Sequence, residues 1–258
     1  MKKAASAAFC IFGVENMRVA EKLLEQLRVE RDNKYKGGIY YITQVELAYN
    51  SNRIEGSRLK RAHTESLFST KSILTEQDEI ILSDDIIETT NHFRAFDYLL
   101  DSVEEMLNEA IIKEFHRILK TGVSDSDISW FNVGGYKKLP NTVGGLDTVA
   151  PEDVSDAMEN LLDDYNMIDR PSFNDILRFH VNFERIHPFQ DGNGRVGRLI
   201  MFRECLKNGV IPFIIDSDHK EFYYRGLREY FKEPHYLIDT CLSAQDKYKA
   251  YCVKFVKV

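Results

Sequence analysis

The sequence predicts a single, mostly α-helical domain with one small β-hairpin. Three observations carry that reading. Apolar residues recur at helical spacing along most of the chain, as in Ile176, Phe179, Phe183 and Ile186, at steps of three, four and three. The extended signal is confined to residues 129–150, where Gly134, Gly135, Gly144 and Gly145 bracket Tyr-Lys-Lys-Leu-Pro-Asn-Thr-Val. A chain of 258 residues, 43% of them apolar, can bury one good-sized core, and no repeat, low-complexity tract or linker divides it.

Taken in order, Met1-Lys-Lys and the apolar run Ala4 to Val14 have the outline of a short signal peptide. The run is short and Glu15 and Arg18 follow it at once, so residues 1–16 read as a poorly informative leader with Met17 as an alternative start. Residues 17–31 are helical in period until Lys36-Gly-Gly38 breaks the pattern. Thr43 to Asn50 reads as a short helix, with Thr43 as N-cap and Glu46 at the capping-box position. One long helix or two shorter ones fill residues 75–100, and another pattern covers 103–120 up to the stop signal Gly122. Two extended arms around a Pro140-Asn141 turn form the expected hairpin. Pro151-Glu-Asp opens a further helix that turns Val154, Met158, Leu161 and Leu162 inward.

Composition removes several function classes. The net charge of −7 disfavours general nucleic-acid binding, which depends on neutralising phosphates. No run is long enough to span a membrane. Cys10, Cys205, Cys241 and Cys252 form no C-x-x-C pair and no zinc spacing, so they read as free thiols of a reducing, cytoplasmic compartment. His63, His92, His116, His219 and His235 read as surface or packing residues, His180 as structural, and Asp84, Asp85 and Glu88 as a solvated helix face.

The chemistry converges on residues 172–209. Ser172 caps a helix with Asp175 in its first turn, and Pro188 forces that helix to end near His187. Asp191-Gly-Asn-Gly194 permits tight turns and leads straight into the next helix N-terminus, a ready anion site. Arg195 and Arg198 share a face there, although cations in a first turn cost roughly 0.3–1 kcal/mol. Gly197 adds about 1 kcal/mol of helix cost. Three unfavourable local choices point to a ligand, and a polyphosphate would compensate for them through the arginine forks. In that reading neutral His187 takes a proton from an attacking hydroxyl and Asp191 holds Mg²⁺. Gly192, Asn193 and Gly194 cradle the anion, and the arginines stabilise developing charge. The loop is not a P-loop, because Gly-x-x-x-x-Gly-Lys-Ser/Thr is absent.

His187-Pro-Phe-Gln-Asp-Gly-Asn-Gly-Arg-Val-Gly-Arg198 resembles the Fic family motif H-x-F-x-(D/E)-G-N-G-R-x-x-R at every fixed position. The resemblance extends over residues 40–235 and implies an all-α Fic-type helical bundle with a β-hairpin flap. It implies transfer of AMP from ATP to a protein hydroxyl, with His187 as base and Asp191 as the Mg²⁺ ligand. The phosphate site would be Gly192, Asn193, Gly194 and Arg195, with Arg198 gripping the terminal phosphates. Residues 134–149 resemble the flap that docks the target protein, and Tyr223 and Tyr224 fall where paired aromatics line the adenine pocket.

Ser51-Asn-Arg-Ile-Glu55-Gly56 resembles the family's inhibitory helix motif, here placed N-terminally. In that reading Glu55 pairs with Arg198 in the place of the γ-phosphate, and Ser51 bonds nearby. The chain then divides into a leader and first helix (1–40), an inhibitory region (41–75) and a core (76–258). Rival readings remain: transfer of UMP or phosphocholine, phosphorylation, removal of AMP, or a non-catalytic ATP-binding regulator. The resemblance leaves self-modification and a homodimer open and does not name the target.

Overall fold

The computed structural model describes residues 18–77 and 79–256. The leader expected over residues 1–16, with Cys10 and Met17, lies outside them. Helix α1 (18–32) buries Leu23 and Leu27. Helix α2 (Ile39–Ile54) begins earlier than its capping signal suggested, with Gly38 as N-cap. Thr43 is therefore interior. Its hydroxyl donates to Ile39 O at 2.7 Å and meets Tyr248 Oη at 2.6 Å, so tertiary packing overrides the local cap.

Helix α3 (Arg61–Thr70) carries no predictive stripe, because only His63, Thr64 and Leu67 are buried. The helix expected from residue 75 begins at Ser83 and forms α4 (Ser83–Ser102). The pattern from 103 likewise resolves into α5 (Glu109–Lys120), whose start is set by Asn108 Oδ1 accepting from Ile111 N at 3.0 Å.

The hairpin consists of β1 (Thr142–Val143) and β2 (Leu146–Asp147), antiparallel, with Thr142 opposite Asp147 and Val143 opposite Leu146. Its turn is Gly144-Gly145, not Pro140-Asn141. Both central residues have positive φ (57° and 78°), which glycine adopts freely and proline cannot. A short 3₁₀ turn, Pro151–Asp153, then enters α6 (Val154–Asn166).

Helices α7 (Phe173–Ile186) and α8 (Asn193–Lys207) pack against each other and form the centre of the molecule. The predicted capping box is present: Ser172 Oγ accepts from Asp175 N at 3.3 Å while Asp175 Oδ2 accepts from Ser172 N at 3.0 Å. Helix α8 is buried nearly all round, from Asn193 to Leu206, so it shows no amphipathic stripe. Phe202 of α8 meets Phe96 of α4 and Tyr248 edge-on at 5.5 Å each. Helices α9 (Lys220–Glu229) and α10 (His235–Phe255) close the other side. They approach closely at Gly226, where a Cβ would lie 2.7 Å from Leu237 Cα. One apolar core runs from Val19 through Phe183 and Phe202 to Val256. Among the described residues Cys205, Cys241 and Cys252 are free and buried, and no helix is long and apolar enough to cross a membrane.

Candidate active site

The site is built at the joint between α7 and α8. Helix α7 stops at Ile186, and His187 caps it in the left-handed conformation (φ 53°, ψ 60°), its N–H donating to Phe183 O at 2.9 Å. His187 Nδ1 lies 3.3 Å from Glu184 O, which suits an Nδ1–H donor and leaves Nε2 to accept a proton. Burial, with the positive charge of Lys137 nearby, holds His187 below the ordinary imidazole range, while Glu55 and Asp191 pull the other way. It is therefore neutral at pH 7.

The connecting loop is shaped by Asn193. Its Oδ1 accepts from Phe189 N and its Nδ2 donates to Phe189 O, both at 2.8 Å. Its side chain, expected in the anion cradle, is thus fully engaged in closing the loop. Gly192 takes φ 83° as the N-cap of α8. Phe189 is buried against His116, the two rings stacked 4.0 Å apart. His116 accepts from Gly134 N at 2.9 Å and donates from Nε2 to Asp191 O at 3.2 Å, so it is a packing residue that also braces the loop. What remains at the α8 N-terminus is a set of first-turn N–H groups without intrahelical acceptors.

Arg195 and Arg198 are both buried, 3% and 4% exposed. Arg195 lies in the first turn, whereas Arg198 falls in the second, one turn further from the helix end than its sequence reading placed it. Arg195 pairs with Glu88 Oε2 at 2.5 Å and Asp191 Oδ2 at 3.1 Å. Lys120 Nζ bridges the same two carboxylates at 2.6 Å each. Burial would raise the Asp191 carboxyl, but Arg195 and Lys120 outweigh it and hold it well below the carboxylate range. Glu88 is therefore no solvated face. Asp84 bonds Ser124, and Asp85 accepts from Arg58 N at 3.0 Å.

Arg198 reaches the other way. Its Nη2 meets Glu55 Oε1 at 2.7 Å and Ser51 O at 2.9 Å, and its Nε donates to Ser51 Oγ at 3.0 Å. Ser51 lies in the last turn of α2 and Glu55 is its C-cap, four residues on, so the end of the helix presents both on one side. Gly56 takes φ 101° just past the helix, where glycine is favoured, and makes the turn rather than a contact. A Cβ on Gly194 would lie 2.2 Å from Glu55 Oε1, so the carboxylate rests where only glycine leaves room.

Beneath Arg198 lies a closed polar floor. A Cβ on Gly197 would fall 2.7 Å from the His180 ring and 2.8 Å from Glu184 Oε1. Gly197 thus answers a packing need, not a ligand. His180 Nε2 lies 2.5 Å from Tyr223 Oη, and Tyr223 is 1% exposed. Tyr223 therefore forms part of the floor rather than an open pocket wall. Tyr224 is 37% exposed and donates to Ile54 O at 3.2 Å. Burial raises Glu184 to about 8 and, with Arg198 nearby, lowers His180 to about 3. His92 lies fully buried on the α4 side, also lowered to about 3 by burial and then by the two arginines.

The structure thus brings His187, Asp191, the α8 N-terminus, Arg195, Arg198, Ser51 and Glu55 together. It adds Glu88, Lys120, His116, Lys137, Glu184 and His92. None of these six stood in a motif, and Glu88, Lys120, His116 and Lys137 each reach a site segment far away in sequence; Lys120 and Asp191, for example, are 71 residues apart. Among the described residues no cluster of three or more His, Cys, Asp or Glu could hold a metal alone. Asp191, 48% exposed, fits the usual Mg²⁺ arrangement of one carboxylate completed by substrate phosphates and water.

Residues 106–205 match the family described as Fic/DOC. The chain is 28% identical over 191 residues to the protein adenylyltransferase Fic of Nematostella vectensis, covering 70% of this chain and 42% of that protein. It is 25% identical to the protein of the same name in Aedes aegypti, over 80% of this chain and 43% of that protein. The chain therefore spans less than half the length of these curated relatives. Among solved structures, a Fic domain containing signaling protein from Bacteroides thetaiotaomicron superposes with a TM-score of 0.69 at 23% identity, covering 95% and 94% of the two chains. Fic-1 from C. elegans gives 0.67 at 17% identity, covering 98% and 75%.

Proposed function

The chain belongs to the Fic/DOC family, and from that premise we propose that it is a protein adenylyltransferase held in check by its own α2 helix. The observation that carries this is the position of the Glu55 carboxylate. It lies on the buried guanidinium of Arg198, over the bare Cα of Gly194. An anion thus sits where the terminal phosphate of ATP would be gripped.

In the reaction a Ser, Thr or Tyr hydroxyl of the target attacks the α-phosphorus of ATP. His187 Nε2 takes the hydroxyl proton as the new phosphodiester bond forms. The bond from the α-phosphorus to the bridging oxygen breaks, and pyrophosphate leaves. The α8 N–H groups with Arg195 stabilise the charge that develops, and Arg198, once free, holds the γ-phosphate. Asp191 would hold Mg²⁺ against the phosphates, where the ion would neutralise charge on the leaving group. Glu55 blocks productive placement of the γ-phosphate, and Ser51 keeps Arg198 turned toward α2. The flap at 134–149 docks the target by backbone pairing. The three buried free thiols fit a reducing, cytoplasmic setting.

The test is transfer of labelled AMP from ATP onto the protein itself. Glu55→Gly is expected to raise labelling about tenfold or more, the effect of losing a partly buried ion pair. His187→Ala in that background abolishes it. Mass spectrometry must find AMP on a hydroxyl side chain. UMP, phosphate or phosphocholine there, or ATP binding without any modification, would overturn the reading.

A further inference from the structure

We propose that Lys137 is the positioning residue that sets the register of the flap against His187. This rests on the reading of the site just given, in which the flap presents the target to that histidine.

The hairpin cannot hold its own position. Its strands are two residues long and all four residues are exposed, and a pair that short has little stability of its own. Its placement must come from its base, where Lys137 sits 3% exposed. The ammonium bonds Asn141 Oδ1 at 2.8 Å, just before β1, and Thr148 Oγ1 at 2.6 Å, just after β2. Its third contact is Ile186 O at 3.3 Å, in the last turn of the helix that ends in His187. One side chain therefore ties both arms of the flap to the carbonyl next to the base. The backbone runs the same way: Lys137 N donates to Pro188 O at 2.8 Å and Asn141 Nδ2 to Phe189 O at 3.0 Å.

Stability alone gives a poor reason for this arrangement. All three acceptors are neutral, so a buried ammonium lacks a counter-ion, which is costly. Burial lowers Lys137 to about 8. A methionine would fill the space at smaller cost. What the lysine adds is three donors in one group, matched to three acceptors on three segments. It also adds a positive charge that disfavours protonation of His187, against the opposing charges of Glu55 on α2 and Asp191 on the loop. The negative end of α7 is a favourable place for that charge.

The test compares Lys137→Met and Lys137→Arg in the intact chain, each with and without Glu55→Gly. Three readouts are taken: NMR titration of the His187 ring, amide exchange of residues 139–148, and self-labelling with tagged ATP. Lys137→Met should raise the His187 midpoint and speed flap exchange about tenfold. It should lower kcat for labelling about 10²-fold, the cost of a misplaced reactant, with little change in the KM for ATP. Lys137→Arg should restore the titration and most of the exchange protection. Thr148→Val, which removes one acceptor, should loosen the flap in the same direction and serves if Lys137→Met fails to fold. A folded Lys137→Met protein with unchanged flap exchange and His187 midpoint overturns the proposal, as does unchanged exchange in Thr148→Val. Should Glu55→Gly transfer no AMP at all, adenylylation fails while the titration and exchange still decide Lys137.

Discussion

Arg195 and Arg198 stand one turn apart on the same helix, equally buried, and are held by opposite means. Arg195 lies in a mesh with Asp191, Glu88 and Lys120 on the α4–α5 side. Its counter-charges are two carboxylates that another cation also shares. Arg198 has one carboxylate, Glu55, and that one comes from α2, 143 residues away in sequence. Glu55 remains 27% exposed, whereas Glu88 is 16% exposed. The first arginine is therefore fixed in place by shared carboxylates, and the second has a counter-ion that a ligand can exchange. A ligand that competes for Arg198 displaces a single helix-end side chain; one that competes for Arg195 must dismantle a four-membered cluster.

The largest test of this difference removes each carboxylate in turn. Glu88→Ala is expected to cost about 3–5 kcal/mol, as for breaking a buried pair, since Lys120 and Arg195 then share Asp191 alone. Glu55→Gly should cost less than about 2 kcal/mol by comparison, because Arg198 keeps its bonds to Ser51 and gains solvent. Urea melts of both variants measure this, and equal losses would erase the distinction.

Acid should strain both sides together. His92, His116 and His180 are each held down to about 3, so they stay neutral in the native state while the unfolded chain takes up protons below about 6.5. Their contribution is complete above 6.5 and is lost as pH falls toward 3. Glu184, held up to about 8, opposes this: it keeps its proton in the fold and loses it from the unfolded chain above about 4.5. With these three groups against one, stability should fall about 2.5 kcal/mol per unit as pH drops through 5.5, and His187, also held low, acts in the same direction. Melts at pH 6 and pH 5 measure the slope, and a flat profile would mean that these rings are protonated in the fold.

Between the arginines, Gly197→Ala should destabilise by about 1–3 kcal/mol despite the better helix propensity of alanine, because its Cβ would press on the His180 ring and the Glu184 carboxyl. A rise in Tm would remove the closed floor from the account. The smallest effect concerns Tyr224→Phe, which removes the bond to Ile54 O at the end of α2. That bond is worth about 0.5–1.5 kcal/mol, so basal self-labelling at saturating ATP should rise about twofold to tenfold. No rise would mean that Tyr224 does not restrain α2.

The sequence made one half of this comparison far more legible than the other. The chain from Ser172 to Arg198 is continuous, and its cap, stripe, Pro188 stop and glycine loop are all local signals that agree with the fold. Glu55 was readable because Ser51 and Gly56 accompany it at fixed spacing. Glu88, Lys120 and Lys137 were not, since a charged residue inside a helical or flap pattern looks the same whether water or a remote carboxylate faces it. Gly197 was misread for a related reason: its cost is visible locally, but its cause, His180 and Glu184, lies on another helix. Helix α3 and the start of α2 were missed because the residues they bury form no stripe.

His187 closes α7 in a left-handed conformation without being glycine or asparagine. Holding such a backbone costs on the order of 1–3 kcal/mol, and proline follows it directly. The position therefore carries a conflict between endurance and use. Glycine would relax the chain there and alanine would not, so His187→Gly should outlast His187→Ala on heating, while the proposed role of His187 as base makes both inert. A population selected only for thermal survival would drift toward the first, and the histidine persists only as long as its chemistry is needed.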